Sequence, residues 1–327
     1  MRRLGRCGSA AVALILLVVV GSSTPVSAAP SARAAKNPPN FVLANQSGND
    51  FEVASAVTGK VVKDLGGIPG YTNNGMALAP NGRDLYVTVN RATSLDVEDI
   101  DLETGGETFI AEGEEPSISP SGRYLAYGTG PAGSQDLVVR DLASGSVRSI
   151  DLQALLGQET DLLNASITWV GSRVVVMPGG VANDLMGGAP PVPLPGSCSA
   201  VPASSSCLII VTSGVGGRLS ATRAVLRGVE LGDAVIGASG RSDLLMATFN
   251  THSATVYEAD LATDAPTVTR WFAVPSALPV AVGADGRELF YLRGHGPVSL
   301  WVGQVSRHRL INARMLNANV ALAGLAS

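Results

Sequence analysis

Short apolar runs rich in β-branched and aromatic residues alternate with turn-forming residues along most of this chain. In the stretch 117–127, SISPSGRYLAY, a run with β character around Ile118 is followed by Pro-Ser-Gly at 120–122 and then by a second apolar run at 124–127. This order predicts a strand, a tight turn and a second strand.

The same unit recurs along the chain. Further copies lie at 76–88, 234–246 and 280–291, and a degraded copy lies at 166–176. A hairpin pattern with its own turn also recurs, at 51–65, 96–111, 137–150, 255–272 and 300–313. Asp101, Asp141 and Asp260 each precede such a hairpin turn, where we expect their carboxylates to accept hydrogen bonds from turn amides. One repeat therefore comprises four strands.

The period of the repeat predicts the architecture. The Gly-Arg turns fall roughly 40 to 70 residues apart, and the usual spacing, about 40 to 50 residues, is typical of propeller blades. Four-stranded blades bury their faces only against neighbouring blades, so the ring must close. The chain starts with a second strand at 41–44 and ends with an apparent inner strand at 317–323, which together would complete one blade. We therefore predict an all-β, six-bladed β-propeller of four-stranded blades, closed by a blade that the N- and C-termini share.

Two of the repeats are similar to known families. SPSGRYLAY at 119–127 resembles the repeat of the TolB-like, WD40-like propellers, and APNGRDLYVT at 79–88 is similar to the YVTN-type repeat. Ser121 and Asn81 replace the usual Asp of these motifs and are expected to stabilise the turn in the same way. The resemblance covers most of 40–323. It implies a propeller that binds or scaffolds in the bacterial envelope, and it carries over no catalytic residue.

The N-terminal region is predicted to be removed. Arg2, Arg3 and Arg6 precede an apolar run at 10–20, which is short for a membrane span, and Val-Ser-Ala at 26–28 fits a cleavage site. An uncleaved membrane anchor is the alternative. We expect a signal peptide at 1–28, cleaved near Ala28, a mobile tail at 29–39 and one propeller domain at 40–327. The mature protein is then secreted, without a stable membrane span.

Cysteine usage fits export. After cleavage only Cys198 and Cys207 remain, and two nearby cysteines of an exported chain usually form a disulfide. They lie in or beside a Pro- and Gly-rich insertion at 178–207, which replaces the short loop of other repeats. We hypothesise that this insertion folds as a lid over the ligand-binding end; an insertion without a role is the alternative.

Charge narrows the class of partner. Hydrophobic residues make up 46% of the chain and charged residues 15%, as suits a β-protein with a sizeable core. The net charge is −4, and removal of three N-terminal arginines leaves 20 basic against 27 acidic residues, about −7. An acidic chain with scattered Lys and Arg does not predict nucleic-acid binding.

Polar residues near predicted strand ends are the candidates for ligand contact. Asparagines near inner strands could place amides around the channel mouth, and two histidines and an arginine fall in or beside loops between second and third strands. The candidates are Asn73, Asn74, Asn164, Asn250, His252, Arg293, His295 and Asn317. The alternative for each is an ordinary solvated loop residue. No catalytic residue, metal ligand or cofactor is assigned.

These features favour a non-catalytic binding or scaffold protein, expected to be a monomer, that recognises a protein, peptide or cell-envelope ligand across one face. A metal-assisted small-molecule hydrolase of the lactonase kind is the alternative. It would require several carboxylate, Asn or His side chains converging on the channel, and Asp233 shows too few partners for that.

Overall fold

A computed structural model describes most of the chain beyond residue 39. The described residues are 40–45, 50–130, 136–151, 166–177, 205–213, 218–227, 234–238, 243–250, 253–262, 266–275, 277–283, 287–293, 299–317 and 322–326. All belong to the second of two units of the chain, Lys36–Ser327. The predicted signal peptide, the N-terminal tail and most of the 178–207 insertion lie outside them.

The described strands form six antiparallel sheets of four strands each. Sheet 1 contains β24 (Leu322–Ala326), β1 (Asn40–Asn45), β2 (Phe51–Ser55) and β3 (Val61–Gly66). Sheet 2 contains β4 (Tyr71–Leu78), β5 (Asp84–Asn90), β6 (Leu95–Asp101) and β7 (Glu107–Glu112). Sheet 3 contains β8 (Glu114–Ile118), β9 (Tyr124–Thr129), β10 (Asp136–Asp141) and β11 (Val147–Asp151).

The remaining sheets follow the same strand order. Sheet 4 contains β12 (Ser166–Val170), β13 (Arg173–Met177), β14 (Ser205–Ser213) and β15 (Leu219–Arg227). Sheet 5 contains β16 (Ala234–Ala238), β17 (Asp243–Asn250), β18 (Ser253–Asp260) and β19 (Thr267–Pro275). Sheet 6 contains β20 (Ala277–Val282), β21 (Glu288–Arg293), β22 (Ser299–Ser306) and β23 (Arg309–Asn317). The four-strand repeat predicted from the sequence is therefore present.

The first strands of the sheets contact one another in succession. β4 contacts β8, β8 contacts β12, β12 contacts β16, and β16 contacts β20. β20 and β4 both contact β24, which pairs antiparallel with β1 through Leu325 and Leu43. The predicted bounds of this C-terminal strand were wrong: Asn317 is the last residue of β23, and β24 begins at Leu322. The alternation of Asn and apolar residues at 317–323 had suggested an earlier start.

Neighbouring sheets pack face to face, and each pair shares its own apolar cluster. Between sheets 1 and 2, Phe51 and Val53 pack with Leu85 and Val87. Tyr86 points to the opposite face and joins the cluster with sheet 3, as the period of two along a strand requires. Full burial of one such side chain stabilises the fold by about 1.5–3 kcal/mol.

The Gly-Arg turns join the first and second strands. The Gly122 amide donates to the Ser119 carbonyl at 2.8 Å, and Gly122 has φ 70°, in the left-handed region that favours glycine. Ser121 Oγ accepts from the Arg123 amide at 3.3 Å, and Asn81 Oδ1 accepts from the Arg83 amide at 2.8 Å. The prediction that Ser and Asn stabilise these turns is confirmed.

The hairpin aspartates have two partners. Asp141 Oδ1 accepts from the Ala143 amide at 3.0 Å, as predicted from the sequence. Its Oδ2 accepts from Arg123 Nη2 at 2.7 Å, and Asp101 and Arg83 form the same pair at 2.6 Å. The hydrogen bond from Arg123 is the first cause that lowers the pKa of Asp141 to about 2. Arginine in the Gly-Arg motif thus ties the two turns of one sheet together.

Cationic side chains also connect neighbouring sheets. Lys63 donates to the Leu102 carbonyl at 2.5 Å, Arg140 to the Ile110 carbonyl at 2.7 Å, Arg173 to the Leu261 carbonyl, and Arg314 to the Val57 carbonyl at 2.7 Å. Each of these bonds satisfies a carbonyl at the boundary of two sheets.

Candidate functional site

The candidate site lies at the end of the sheets opposite the Gly-Arg turns. First strands begin at this end, second strands finish there and third strands begin there, so we call it the loop end. In sheet 2, the Asn90 amide donates to the Gly70 carbonyl at 2.7 Å, which joins the end of β5 to the segment that leads into β4.

The structure places five of the predicted ligand residues by their backbone. Asn250, Arg293 and Asn317 are the last residues of β17, β21 and β23, all at the loop end. Asn73 and Asn74 were expected before an inner strand but lie inside β4. Ligand contact by these residues stays a prediction.

Three other candidates, Asn164, His252 and His295, lie outside the described residues. Cys207 is buried in β14, and Cys198 lies outside the described residues, so their pairing also stays a prediction.

Arg293 is the candidate whose side chain is best defined. Its guanidinium lies over the Trp301 ring, 5.5 Å from the centroid. Ser299 Oγ donates to the Arg293 carbonyl at 3.1 Å and accepts from Trp301 Nε1 at 2.9 Å. These contacts hold an exposed cation in position at the loop end of sheet 6.

Sequence reasoning missed Glu115, the second residue of β8. Its φ is 53°, unusual for a residue with a long side chain. It lies against Gly75 of β4, where φ is 88° and an added Cβ would stand 2.8 Å from Glu115 Oε2. Both strands are irregular here, with register shifts between Tyr71 and Met76 and between Glu114 and Ser117. Glycine at position 75 therefore makes room for the carboxylate.

Hydroxyl groups surround the Glu115 position. Its amide donates to Thr88 Oγ1 at 3.2 Å, and Thr72 Oγ1 donates to the Thr88 carbonyl at 3.5 Å. Burial raises the pKa of the Glu115 carboxyl to about 8, and the Glu114 carboxylate adds to the increase. Burial also raises the pKa of Tyr71 to about 12, with Glu115 as the second cause. At neutral pH this group of side chains is mostly uncharged and can both donate and accept hydrogen bonds.

The surroundings of Glu115 are acidic. The 20 residues from Asp96 to Glu115 contain nine Asp and Glu and no Lys or Arg. This pattern is visible in the sequence but was not recognised there as a sign of a functional site. Asp96 and Glu98 are 8% and 4% exposed. Asp96 Oδ1, Glu98 Oε2 and Asp99 Oδ1 are buried without a hydrogen-bond partner in the part of the chain that the structure describes. Burial is the largest cause that raises the pKa of Asp99 to about 6, and the negative charges of Asp84 and Asp101 raise it further.

The described residues contain neither a candidate metal site nor a candidate membrane-spanning helix. No group of three or more His, Cys, Asp or Glu among them is arranged to hold a metal ion. Within the same residues, no helix has the length and apolar character needed to cross a membrane.

The fold is that of a β-propeller, as comparison with solved structures shows. The chain is similar to TolB from Acinetobacter baumannii, with a TM-score of 0.54 and 15% identity over 88% of this chain and 64% of TolB. It is also similar to a chain of the nidogen/laminin complex, with a TM-score of 0.53, 16% identity, and 88% of this chain and 97% of the other covered. The chain is also similar to a functionally unknown protein from Desulfotomaculum acetoxidans, with a TM-score of 0.51 and 10% identity over 87% of this chain and 83% of the other.

These likenesses establish the architecture and carry no activity. The chain spans 64% of the length of the TolB chain that it matches. No family model matches the sequence. No curated protein matches it either.

Proposed function

We propose that this protein is a secreted binding or scaffold protein, a six-bladed β-propeller that recognises a protein, peptide or cell-envelope ligand at its loop end. Closure into a ring is supported by the contacts that run from β4 through β20 to β24 and back to β4, and by β24 and β1 sharing one sheet. Secretion rests on the sequence pattern at 1–28. In a ring, the first strands line the central channel, so Glu115 lies near its mouth.

The observation that carries this proposal is the construction of the Glu115 position. Glu115 has a left-handed backbone conformation, lies where two irregular strands meet and fits only because position 75 is glycine. These features lower the stability of the fold, and such strain is typical of functional sites rather than of purely structural ones. They place a carboxyl group, a phenol and two threonines at the loop end. Such a set of neutral hydrogen-bonding groups is suited to holding a polar ligand.

One observation favours a second candidate, a small-molecule hydrolase. A carboxyl group with a pKa of about 8 is protonated at neutral pH and could donate a proton to a leaving group. Within the described residues, the Glu115 carboxyl group forms no hydrogen bond with a nucleophile or a second base, so binding is the function that we propose first.

Incubation of the purified protein with a panel of immobilised peptides, glycans and lactones tests the proposal. We expect a peptide or glycan to be retained and recovered with unchanged mass, and the Gly75→Ala variant to lose it because the new Cβ clashes with Glu115. Gly105→Ala is the matched control, since Gly105 also has a positive φ but has open space around it and lies at the other end of sheet 2. Catalytic turnover of a lactone, with or without a divalent metal, without retention of any panel member would contradict the proposal.

A further inference from the structure

Some of the acidic residues from Asp96 to Glu115 form ion pairs with arginine, and others do not. Asp101 and Glu103 form ion pairs with Arg83 at the end of the Gly-Arg turns, with distances of 2.6 and 3.0 Å. Glu98 Oε1 accepts from Arg91 Nε at 2.8 Å, and Arg91 also reaches Glu107 at 3.5 Å. The carboxylates of Asp96, Glu112 and Glu115 form no ion pair with any described residue. These three lie at the loop end.

One hydrogen bond brings the strands that carry the three carboxylates together at the loop end. Asp96 and Glu112 lie on the face of sheet 2 that packs toward sheet 1, and Glu115 lies on the other face, beside Thr88. The Gly113 amide donates to the Leu95 carbonyl at 2.7 Å, which fixes the start of β8 beside the start of β6. Asp96 follows Leu95 and is paired in register with Glu112 on β7. Glu115 lies two residues beyond Gly113. Like charges directly opposite each other in a sheet are destabilising, so this arrangement opposes folding unless a cation compensates for it.

Burial makes the arrangement more costly. Asp96 is 8% exposed, and its Oδ1 has no partner among the described residues. Glu98 is 4% exposed. Its Oε2 also has no hydrogen-bond partner among the described residues, although its Oε1 is paired with Arg91. Asp96 is paired across the sheet with Val89, and Glu98 with Val87, so both carboxylates share the face of sheet 2 that packs toward sheet 1. A buried carboxylate oxygen without a donor is a strong acceptor for an incoming cation.

We propose that the ligand recognised at the loop end is a cationic peptide segment that places Lys or Arg side chains against Asp96, Glu112 and Glu115. The inference rests on the proposed binding function and specifies the class of ligand. Asp96 and Glu112 lie on neighbouring third and fourth strands, and Glu115 lies on the first strand of the next sheet. Carboxyl groups spread over three strands match a chain of several positive charges at intervals. A cation that approaches Glu115 favours its charged form, so this side chain becomes a carboxylate when the ligand binds.

Fluorescence anisotropy with fluorescein-labelled hexalysine tests this inference, with hexaglutamate and a neutral Gly-Ser hexapeptide as comparison probes. We expect hexalysine alone to bind, and its affinity to fall as the salt concentration is raised to about 0.3 M, where exposed charges are screened over a few ångströms. Asp96→Asn should weaken binding about tenfold or more because Asp96 is buried. Glu112→Gln, an exposed change that leaves the core intact, should weaken it about threefold.

Glu103→Gln is the matched control. It removes the same charge from the same sheet but at the opposite end, on a side chain that is 71% exposed, so we expect less than about a twofold effect. Equal weakening by Glu103→Gln and Glu112→Gln would overturn the inference, because it would show attraction to net charge alone. Retention of a neutral peptide or a glycan, but not hexalysine, would overturn the cationic class and leave the binding function standing. Lactone turnover without any retention would reject the binding function itself.

Discussion

At the scale of single residues, this protein uses carboxylates in two opposite ways. Asp141 and Asp101 face an arginine and turn amides, which hold their pKa values low and keep them charged. Glu115 faces Glu114, Thr88 and Tyr71, and burial drives its pKa up. The first arrangement fixes turns, whereas the second leaves a carboxyl group whose charge depends on what approaches it.

Stability should therefore depend on pH through Glu115. Its pKa is 4.5 in the unfolded chain and about 8 in the folded protein. Between these values the folded state holds a proton that the unfolded state has lost, so raising the pH destabilises the fold. We expect Glu115→Gln to resemble the wild type at pH about 5 and to exceed its free energy of unfolding by about 4 kcal/mol at pH about 9.

Urea unfolding at both pH values provides the measurement, with Glu103→Gln as the control for loss of one charge. The same difference between Glu115→Gln and the wild type at the two pH values would show that Glu115 is not protonated in the folded protein.

At the scale of strands and turns, the spacing of apolar and turn residues predicted where most strands lie, but irregular strand pairing could not be predicted from the sequence. The Gly-Arg turns and most of the second and third strands lie where alternation and turn residues predicted them. The starts of β12 and β16 also lie where the repeat copies predicted them. The starts of two other first strands were not recognised: β4 begins at Tyr71, ahead of Met76, where the apolar pattern starts, and β8 begins at Glu114. Register shifts break the alternation in both strands. Because a left-handed glutamate has no signature in sequence, Glu115 could be found only in the structure.

Two glycines of equivalent hairpin turns allow a test of how sheets 6 and 1 meet. Gly59 has φ 69°, and an added Cβ would clash with the Leu316 carbonyl oxygen, whereas Gly105 has φ 77° and nothing within 4 Å of an added Cβ. Gly105→Ala should cost about 1 kcal/mol, the price of a left-handed alanine. Gly59→Ala should cost at least about 2 kcal/mol more, because a backbone atom must move.

Urea denaturation of both variants measures this difference. Equal losses of stability in Gly59→Ala and Gly105→Ala would contradict the close approach of Gly59 to β23.

At the scale of the whole molecule, each sheet depends on its two neighbours. The apolar clusters lie between sheets, so that no sheet buries both of its faces alone. Sequence reasoning reached this dependence from the period of the repeat. The acidic composition of 96–115 was equally visible in the sequence. The position of its residues at the loop end, however, depends on the Leu95–Gly113 hydrogen bond and on the pairing between β6 and β7. Neither contact can be recognised from a linear pattern.

Deletion of residues 322–327 tests closure of the ring. The deletion removes β24, exposes the edge of β1 and takes away the contacts of β24 with β4 and β20. If these contacts close a ring, sheets 1, 2 and 6 lose apolar cover together, and we expect loss of a single cooperative unfolding transition or insoluble protein. Removal of Ser327 alone is the control and should change nothing measurable. Calorimetry provides the measurement. A truncated chain with the transition temperature and sharpness of the full chain would show that β24 does not close a ring. Adding back a peptide of residues 318–327 should restore the transition only if the peptide re-forms the pairing of Leu325 with Leu43.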